Sequence, residues 1–156
     1  MIAIALLCRN RPPEHMIAFY RSFLTCGYDV YLLLDSESPV TECGGVRIVS
    51  IADHEAAANG YFDFTPTFKK PSRVVAWDKA LYFFNRIARQ YSYVWFFEDD
   101  VFIPTPGIIQ QLDMRHAHAD IVSRDNILNT TGELHSWYWW KYIPRDLFPP
   151  PWSHSL

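Results

Sequence analysis

Apolar runs that end in polar residues recur along the chain and predict the strands of one sheet. The first run, Ile2 to Leu7, is continuous, which is typical of a strand covered on both faces. Tyr28 to Leu34 and Val46 to Ile51 have the same character, and Tyr93 to Phe97 is expected to be a buried strand. Asp120 to Ser123 is predicted as the fifth strand.

Three segments between these runs carry apolar residues at helical spacing. Pro12 and Pro13 open the first helix, and Gly27 is well placed to end it. The longest helix is predicted over Pro71 to Tyr91, and a third begins at Thr105-Pro106. The apolar stripe expected on the longest helix consists of Val74, Trp77, Leu81, Phe84 and Ala88. The residues expected to be buried on the third helix are Ile108, Ile109 and Leu112.

This alternation predicts an α/β fold with a Rossmann-like, mostly parallel central sheet flanked by helices. Between the third strand and the longest helix, Asp53 to Lys70 is expected to be irregular. The 156 residues suffice for one domain with a core, which we place over residues 1–148. Residues 149–156 form a Pro-rich tail, suited to a linker towards further domains of a longer polypeptide.

The net charge and the cysteine content argue against several classes of protein. The net charge of −3 gives no electrostatic support to a nucleic-acid surface, so no nucleic-acid partner is expected. The three cysteines form no CxxC pair, which argues against a zinc site and a disulfide framework. The sequence has no recognisable pattern of a signal peptide or a membrane span, so a soluble, cytoplasmic protein is predicted.

The acidic triplet Glu98-Asp99-Asp100 is the most informative polar feature, because it directly follows an apolar strand. Three carboxylates beside such a segment are costly unless something compensates their charge. A hard divalent cation such as Mg²⁺ or Mn²⁺ binds through one or two carboxylates together with substrate phosphates. The triplet therefore predicts a metal site for a phosphate-bearing ligand, against the simpler interpretation of an acidic turn in solvent.

Two other predicted strands also end in polar residues. Cys8-Arg9-Asn10 follows the first strand and Asp35 follows the second. In an open α/β sheet, ligands bind beyond the carboxyl ends of the strands, so these groups are expected to converge with the triplet.

The chain contains neither a GxGxxG fingerprint nor a GxxxxGK[ST] P-loop, so a phosphate would need a metal and cationic side chains. The cationic candidates are Arg9, Arg11, Arg73 and Lys79. On the longest helix, Lys79 is placed to contact a phosphate and Asp78 a hydroxyl, although each also fits an ordinary surface residue.

Taken together, these residues resemble the nucleotide-sugar half of a GT-A glycosyltransferase. The likeness rests on the strand-helix-strand start, the helix bearing Trp77-Asp78-Lys79-Ala80, and the run Trp95 to Val101. Its acidic end is similar to the DxD motif of that family, in a Glu-Asp-Asp variant. The resemblance covers about Ile2 to Asp125, and the chain also resembles the small glycosyltransferases encoded by large algal viruses.

The resemblance implies a role for each polar position. Asp100 would coordinate Mn²⁺ or Mg²⁺, which holds the donor diphosphate, while Glu98 and Asp99 would contact the ribose, the donor sugar or waters of the metal. Asp35 would hydrogen-bond the base or the ribose. The residues implied to border the nucleobase are Cys8, Arg9 and Asn10. Those implied to lie near the phosphates or the donor sugar are Arg73 and Lys79. The donor implied is a nucleoside-diphosphate sugar, with UDP favoured.

The C-terminal part would complete the site. An inverting enzyme needs a base for the acceptor hydroxyl, for which Asp125 is the first candidate and Glu133 the second, whereas a retaining enzyme does not need it there. His135 or His154 would add a late metal ligand, as the family often does. The aromatic residues expected to stack on a glycan acceptor, or else to form a small core, are Trp137, Trp139 and Trp140.

Two other functions fit parts of the pattern. A metal-dependent nucleotidyltransferase or phosphotransferase uses the same carboxylate chemistry, but the loop after the first strand lacks the glycines expected of it. A non-catalytic carbohydrate-binding module would use the tryptophans as a platform, but such modules are usually all-β.

Overall fold

A computed structural model describes residues 1–36, 38–61 and 74–123, together with the backbone of residues 126–129 and 152–155. Five strands of this part of the chain form one sheet in the order β3-β4-β2-β1-β5. The strands are β1 (Ile2–Cys8), β2 (Asp29–Leu34), β3 (Glu42–Cys43), β4 (Val46–Ser50) and β5 (Tyr93–Glu98). All are parallel to their neighbours except β3. The predicted α/β fold with a mostly parallel sheet is therefore confirmed.

Four α-helices lie in the described residues. They are α1 (Glu14–Arg21), α2 (Asp53–Ala58), α3 (Ala76–Ile87) and α4 (Pro106–Arg115). As predicted, α1 starts directly after Pro13. A 3-10 helix, Ser22–Cys26, extends it and ends at Gly27, whose φ of 85° is the left-handed conformation that glycine adopts without strain.

Strand β1 lies between β2 and β5 and is covered on both faces. Successive side chains of a strand point to opposite faces. Ala5 and Leu7 pack on one face against Ala80 and Phe84 of α3. On the other face, Ile4 and Leu6 are also completely buried, and burial, followed by the proximity of Cys8, raises the pKa of Tyr20 of α1. The continuous apolar run of β1 follows from this double cover.

Helix α3 is shorter than predicted, and the face that it buries coincides only in part with the predicted apolar stripe. It begins at Ala76, where the Asp78 carboxylate accepts a hydrogen bond of 2.9 Å from the backbone N–H of Val75. Val74 and Phe84 of the predicted stripe are buried, but Trp77 and Leu81 are exposed, and Lys79, which is not in the stripe, is buried. Apolar periodicity was right for part of the stripe only, because it does not anticipate a buried lysine.

Two short elements were not predicted. The segment expected to be irregular contains α2, and β3 pairs antiparallel with β4. The turn between β3 and β4 is formed by Gly44 and Gly45, both with positive φ. A helix of six residues and a strand of two are too short for a period to be visible in the sequence.

The strands and helices towards the C-terminus depart most from the prediction. Only Trp95 is buried in β5, because within the described residues this strand is paired on one side only. On α4, Ile109 is buried but Ile108 is exposed. The residues from Asp120 to Ser123 are not a strand; instead β6 (Asn126–Asn129) pairs antiparallel with β7 (Trp152–Ser155).

The chain divides into two structural units. The first, Met1–Phe64 with Ser72–Leu112, contains the five-stranded sheet. The second, Thr65–Pro71 with Asp113–Leu156, contains the β6–β7 pair. The expectation of a single domain over residues 1–148, followed by a tail, stays a prediction. In the part of the chain that the structure describes, no helix is long and apolar enough to cross a membrane.

Core packing around β2 predicts a large difference between two leucine substitutions. Leu32 is completely buried, whereas Leu81 on α3 is 48% exposed. We expect Leu32→Ala to lower the free energy of unfolding by about 2–5 kcal/mol, because it leaves a cavity. The matched control Leu81→Ala is expected to change it by about 0.5 kcal/mol or less. Urea unfolding measures both, and equal losses would contradict the packing described for these helices and strands.

Candidate functional site

The carboxyl ends of β1, β2 and β5 meet at one edge of the sheet. Leu7 of β1 is in register with Glu98 of β5, and Cys8 with Leu34 of β2. Beyond the strands, the Asp35 N–H donates to the Cys8 carbonyl at 2.9 Å, which continues the pairing by one residue. This geometry brings the polar residues that follow the three strands together, as predicted.

A cavity of about 300 Å³ opens at this edge. Its lining residues are Leu7, Arg9, Asp35, Ala76, Trp77, Glu98, Asp99 and Asp100. The described part of the chain thus brings five of the predicted site residues into one cavity. Within these lining residues, Arg9 is the one cationic side chain, and it faces four carboxylates.

The hydrogen bond of Trp77 to the acidic triplet was not predicted from the sequence. Its indole Nε1–H donates a hydrogen bond of 2.7 Å to Oε1 of Glu98, and its ring lies 5.7 Å from the ring of Phe96. An indole N–H needs an acceptor, and the acidic triplet offers one; hydrophobic periodicity does not contain this signal. Trp77 therefore holds Glu98 at the mouth of the cavity.

Lys79 lies beside the cavity, with its ammonium turned towards two carboxylates. Its side chain is only 3% exposed, and Nζ lies 3.0 Å from Oδ1 of Asp35 and 2.7 Å from Oδ1 of Asp53. Nζ also donates to the backbone carbonyl of Asp35 at 2.7 Å. These contacts match the three N–H donors of an ammonium group. The structure thus gives Lys79 the role of positioning Asp35, whereas the sequence placed it beside a phosphate.

Burial lowers the pKa of Lys79, but its hydrogen bonds to Asp53 and Asp35 and the charges of both carboxylates outweigh that effect. The pKa therefore lies above its ordinary value. The ammonium remains charged at neutral pH and keeps Asp35 within reach of the cavity.

Cys8 faces away from the cavity. Burial, and then the negative charge of Asp99, raise the pKa of its thiol to about 12. Burial, followed by the charges of Cys8 and Asp99, also raises the pKa of Tyr20. Tyr20 and Asp99 line one cavity beside α1, and the charge of Asp99 acts on both Cys8 and Tyr20. Cys8 is a neutral, buried thiol rather than a lining residue.

The other predicted site residues fall into two groups. Asn10 is exposed and does not line the cavity, and Asp78 uses its carboxylate at the start of α3. The predicted residues that lie outside the described residues are Arg73, Asp125, Glu133, His135, Trp137, Trp139 and Trp140.

The chemistry of the acidic triplet fits a metal ion whose coordination shell is completed by the substrate. In the described residues, no group of three His, Cys, Asp or Glu side chains forms a ready-made metal site. Glu98, Asp99 and Asp100 are exposed oxygen donors at the cavity. Mg²⁺ and Mn²⁺ accept one or two such carboxylates and take the remaining ligands from phosphates and water. The donor set therefore fits Mg²⁺ or Mn²⁺ held jointly with a phosphate-bearing ligand.

No protein-family model matches the chain, and no curated protein or solved structure matches it.

The position of Cys8 predicts the number of reactive thiols. Cys8 is buried, whereas Cys26 and Cys43 are both partly accessible. Because only the thiolate attacks a disulfide reagent, we expect two thiols to react in the native protein at about pH 8 and three in urea. A titration with Ellman's reagent measures this. Cys8→Ala should give two thiols in both conditions, and rapid reaction of all three in the native protein would place Cys8 elsewhere.

The Lys79 contacts predict a pH-dependent loss of stability on removing this charge. We expect Lys79→Met to be less stable than wild type by about 2–3 kcal/mol near neutral pH, because Asp35 loses its counterion. This is below the value for a fully buried pair, since Asp53 is largely exposed. The raised pKa means that the contribution is complete below about pH 10.4 and is lost as the pH rises through the folded-state pKa.

The gap between wild type and Lys79→Met should therefore narrow above about pH 10.4 in urea unfolding experiments. The control Arg89→Met removes an exposed cation and should change stability by about 0.5 kcal/mol or less. A gap that stays constant from neutral pH to about pH 11 would show that the ammonium charge is not what stabilises this contact.

Proposed function

We propose that this chain is a metal-dependent glycosyltransferase of the GT-A type. In this proposal it moves a sugar from a nucleoside-diphosphate donor, with UDP as the expected nucleotide, to a hydroxyl acceptor. The observation that carries the proposal is the convergence of Arg9, Asp35 and the acidic triplet in one cavity at the carboxyl edge of a parallel sheet. Ligands of open α/β sheets bind at this edge.

The charges in the cavity support an anionic ligand that arrives with a cation. Four carboxylates with one arginine form a net negative site, which repels a free diphosphate but attracts a divalent metal. With the metal bound, the same site accepts the diphosphate, and Arg9 adds a cationic contact. No glycine-rich phosphate loop is present in the sequence to hold the diphosphate instead.

In the proposed mechanism, Asp100 would hold the metal, and Glu98, fixed by Trp77, would contact the donor or the waters of the metal. Asp35, fixed by Lys79, contacts the ribose or the base. When bound, the divalent cation supplies Lewis-acid stabilisation of the departing diphosphate.

The transfer step forms a bond between the acceptor oxygen and the anomeric carbon of the sugar. The bond from that carbon to the diphosphate oxygen breaks, and its electron pair leaves with the nucleoside diphosphate. In an inverting enzyme, the acceptor proton passes to a carboxylate. Asp125 and then Glu133 remain the predicted bases, and His135 remains the predicted additional metal ligand, all outside the described residues.

Metal-dependent nucleotide binding tests the proposal. We expect UDP to bind wild-type protein in Mn²⁺ and to lose binding when EDTA is added. Asp100→Asn is expected to weaken UDP binding in Mn²⁺ by about tenfold or more, because it removes a charged metal ligand. The matched control Asp120→Asn changes an exposed carboxylate outside the cavity and should bind like wild type. Calorimetric titration measures all four conditions.

Two results would contradict the proposal. If neither UDP, GDP nor CDP bound in the presence of Mn²⁺, the assignment of a donor site would be wrong. Equal UDP affinity in Asp100→Asn and wild type would show that this carboxylate holds no metal. Where UDP binds as expected, mass analysis of products from UDP-sugars distinguishes sugar transfer from phosphoryl or nucleotidyl transfer.

A further inference from the structure

A second cavity adjoins the candidate site and shares Asp99 with it. It has a volume of about 290 Å³ and lies between α1 and the segment that follows the acidic triplet. Helix α1 contributes Met16 and Phe19, and the following segment contributes Phe102 and Ile103. In contrast to the carboxylate-lined cavity, this one is lined mainly by apolar side chains.

Two of the apolar residues at this cavity are exposed to solvent. Val101 and Phe102, the first and second residues after Asp100, are both exposed, and Phe102 is 85% exposed. An exposed apolar surface that is rimmed by polar groups is typical of a place where a ligand or partner binds. His15 and Asp99 supply that polar rim.

The lining excludes the hydroxyl-rich and charged parts of a nucleotide sugar. A sugar or phosphate buried here would lose hydrogen bonds to water, and few polar groups face it in return. The cavity, with a volume of about 290 Å³, has room for one aromatic ring. Phe19 and Phe102 provide faces and edges for such a ring.

We propose that this cavity binds the acceptor of the transfer, and that the acceptor is an aromatic alcohol. Its ring would lie between α1 and Phe102, and its hydroxyl would approach Asp99, the residue common to both cavities. The inference rests on the proposed function, because an acceptor has meaning only beside a donor site.

Methionine methyl groups provide a direct test. The chain has three methionines: Met16 lines the cavity, whereas Met1 and Met114 are 71% and 74% exposed and line neither cavity. The protein is labelled with ¹³C-methyl methionine and titrated with 2-phenylethanol. We expect the Met16 signal to shift with saturation while Met1 and Met114 stay in place. Glycerol, which carries hydroxyls without a ring, should shift none of them.

Two serine variants sharpen the test. Phe102→Ser should weaken 2-phenylethanol binding by about tenfold, since it removes one aromatic wall. Leu81→Ser, an exposed position outside the cavity, should bind the alcohol like wild type. Both variants should keep the wild-type affinity for UDP in Mn²⁺, because neither residue lines the carboxylate-lined cavity.

The outcomes separate the two proposals. Saturable Met16 shifts that are weakened in Phe102→Ser alone, together with UDP binding, support the aromatic acceptor. Equal binding in Phe102→Ser and wild type, or no Met16 shift, overturns the acceptor cavity while the donor site stands. Alcohol binding as expected without any UDP binding overturns the glycosyltransferase proposal, and the acceptor assignment falls with it.

Discussion

The buried ammonium of Lys79 is the constraint on which the candidate site depends. An ammonium that is 3% exposed is tolerated only where oxygen atoms surround it, and here they come from Asp35 and Asp53. The first follows β2 and the second begins α2, so one side chain of α3 fixes the meeting point of three elements. Because Asp35 lines the cavity, the same contact that satisfies the buried charge also sets the geometry of the site.

The opposite edge of the sheet has its own polar brace. Tyr91 donates to Asp29 at 2.6 Å, and its hydroxyl lies 2.6 Å from that of Tyr31. Arg47 donates to Asp29 and to both hydroxyls, and its guanidinium lies over the Tyr31 ring. Burial, and then the hydrogen bond to Asp29, raise the pKa of Tyr91. This cluster joins β2, β4 and the start of β5 at their amino ends, so the carboxyl edge rests on strands whose spacing is already fixed.

The sequence predicted best where the chain is buried on both faces or turns at a glycine. The apolar run of β1 has no alternation to misread, and parallel strands bring their ends together, which placed Arg9 and Asp35 beside the acidic triplet correctly. It failed where a polar group is buried or an apolar one is not. On α3, Trp77 is exposed although it was expected to be buried, and Lys79 is buried although it was expected on the surface or beside a phosphate. Hydrogen-bond partners that are distant in sequence decide both positions. Cys8 was misplaced for a simpler reason: strand alternation turns its side chain towards α1.

The position of the acidic triplet at the end of β5 explains how three consecutive acids can serve two cavities. Glu98 is held from the α3 side by Trp77, whereas the charge of Asp99 reaches Cys8 and Tyr20 on the α1 side. Glu98 is the last residue of β5, whereas Asp99 and Asp100 form the turn that follows it, so the triplet passes around the edge of the sheet. In the proposed function, this separates the polar donor from the apolar acceptor while keeping their reacting ends within one residue of each other. Asp99 lines both cavities, so this one residue of the triplet can serve the donor and the acceptor together.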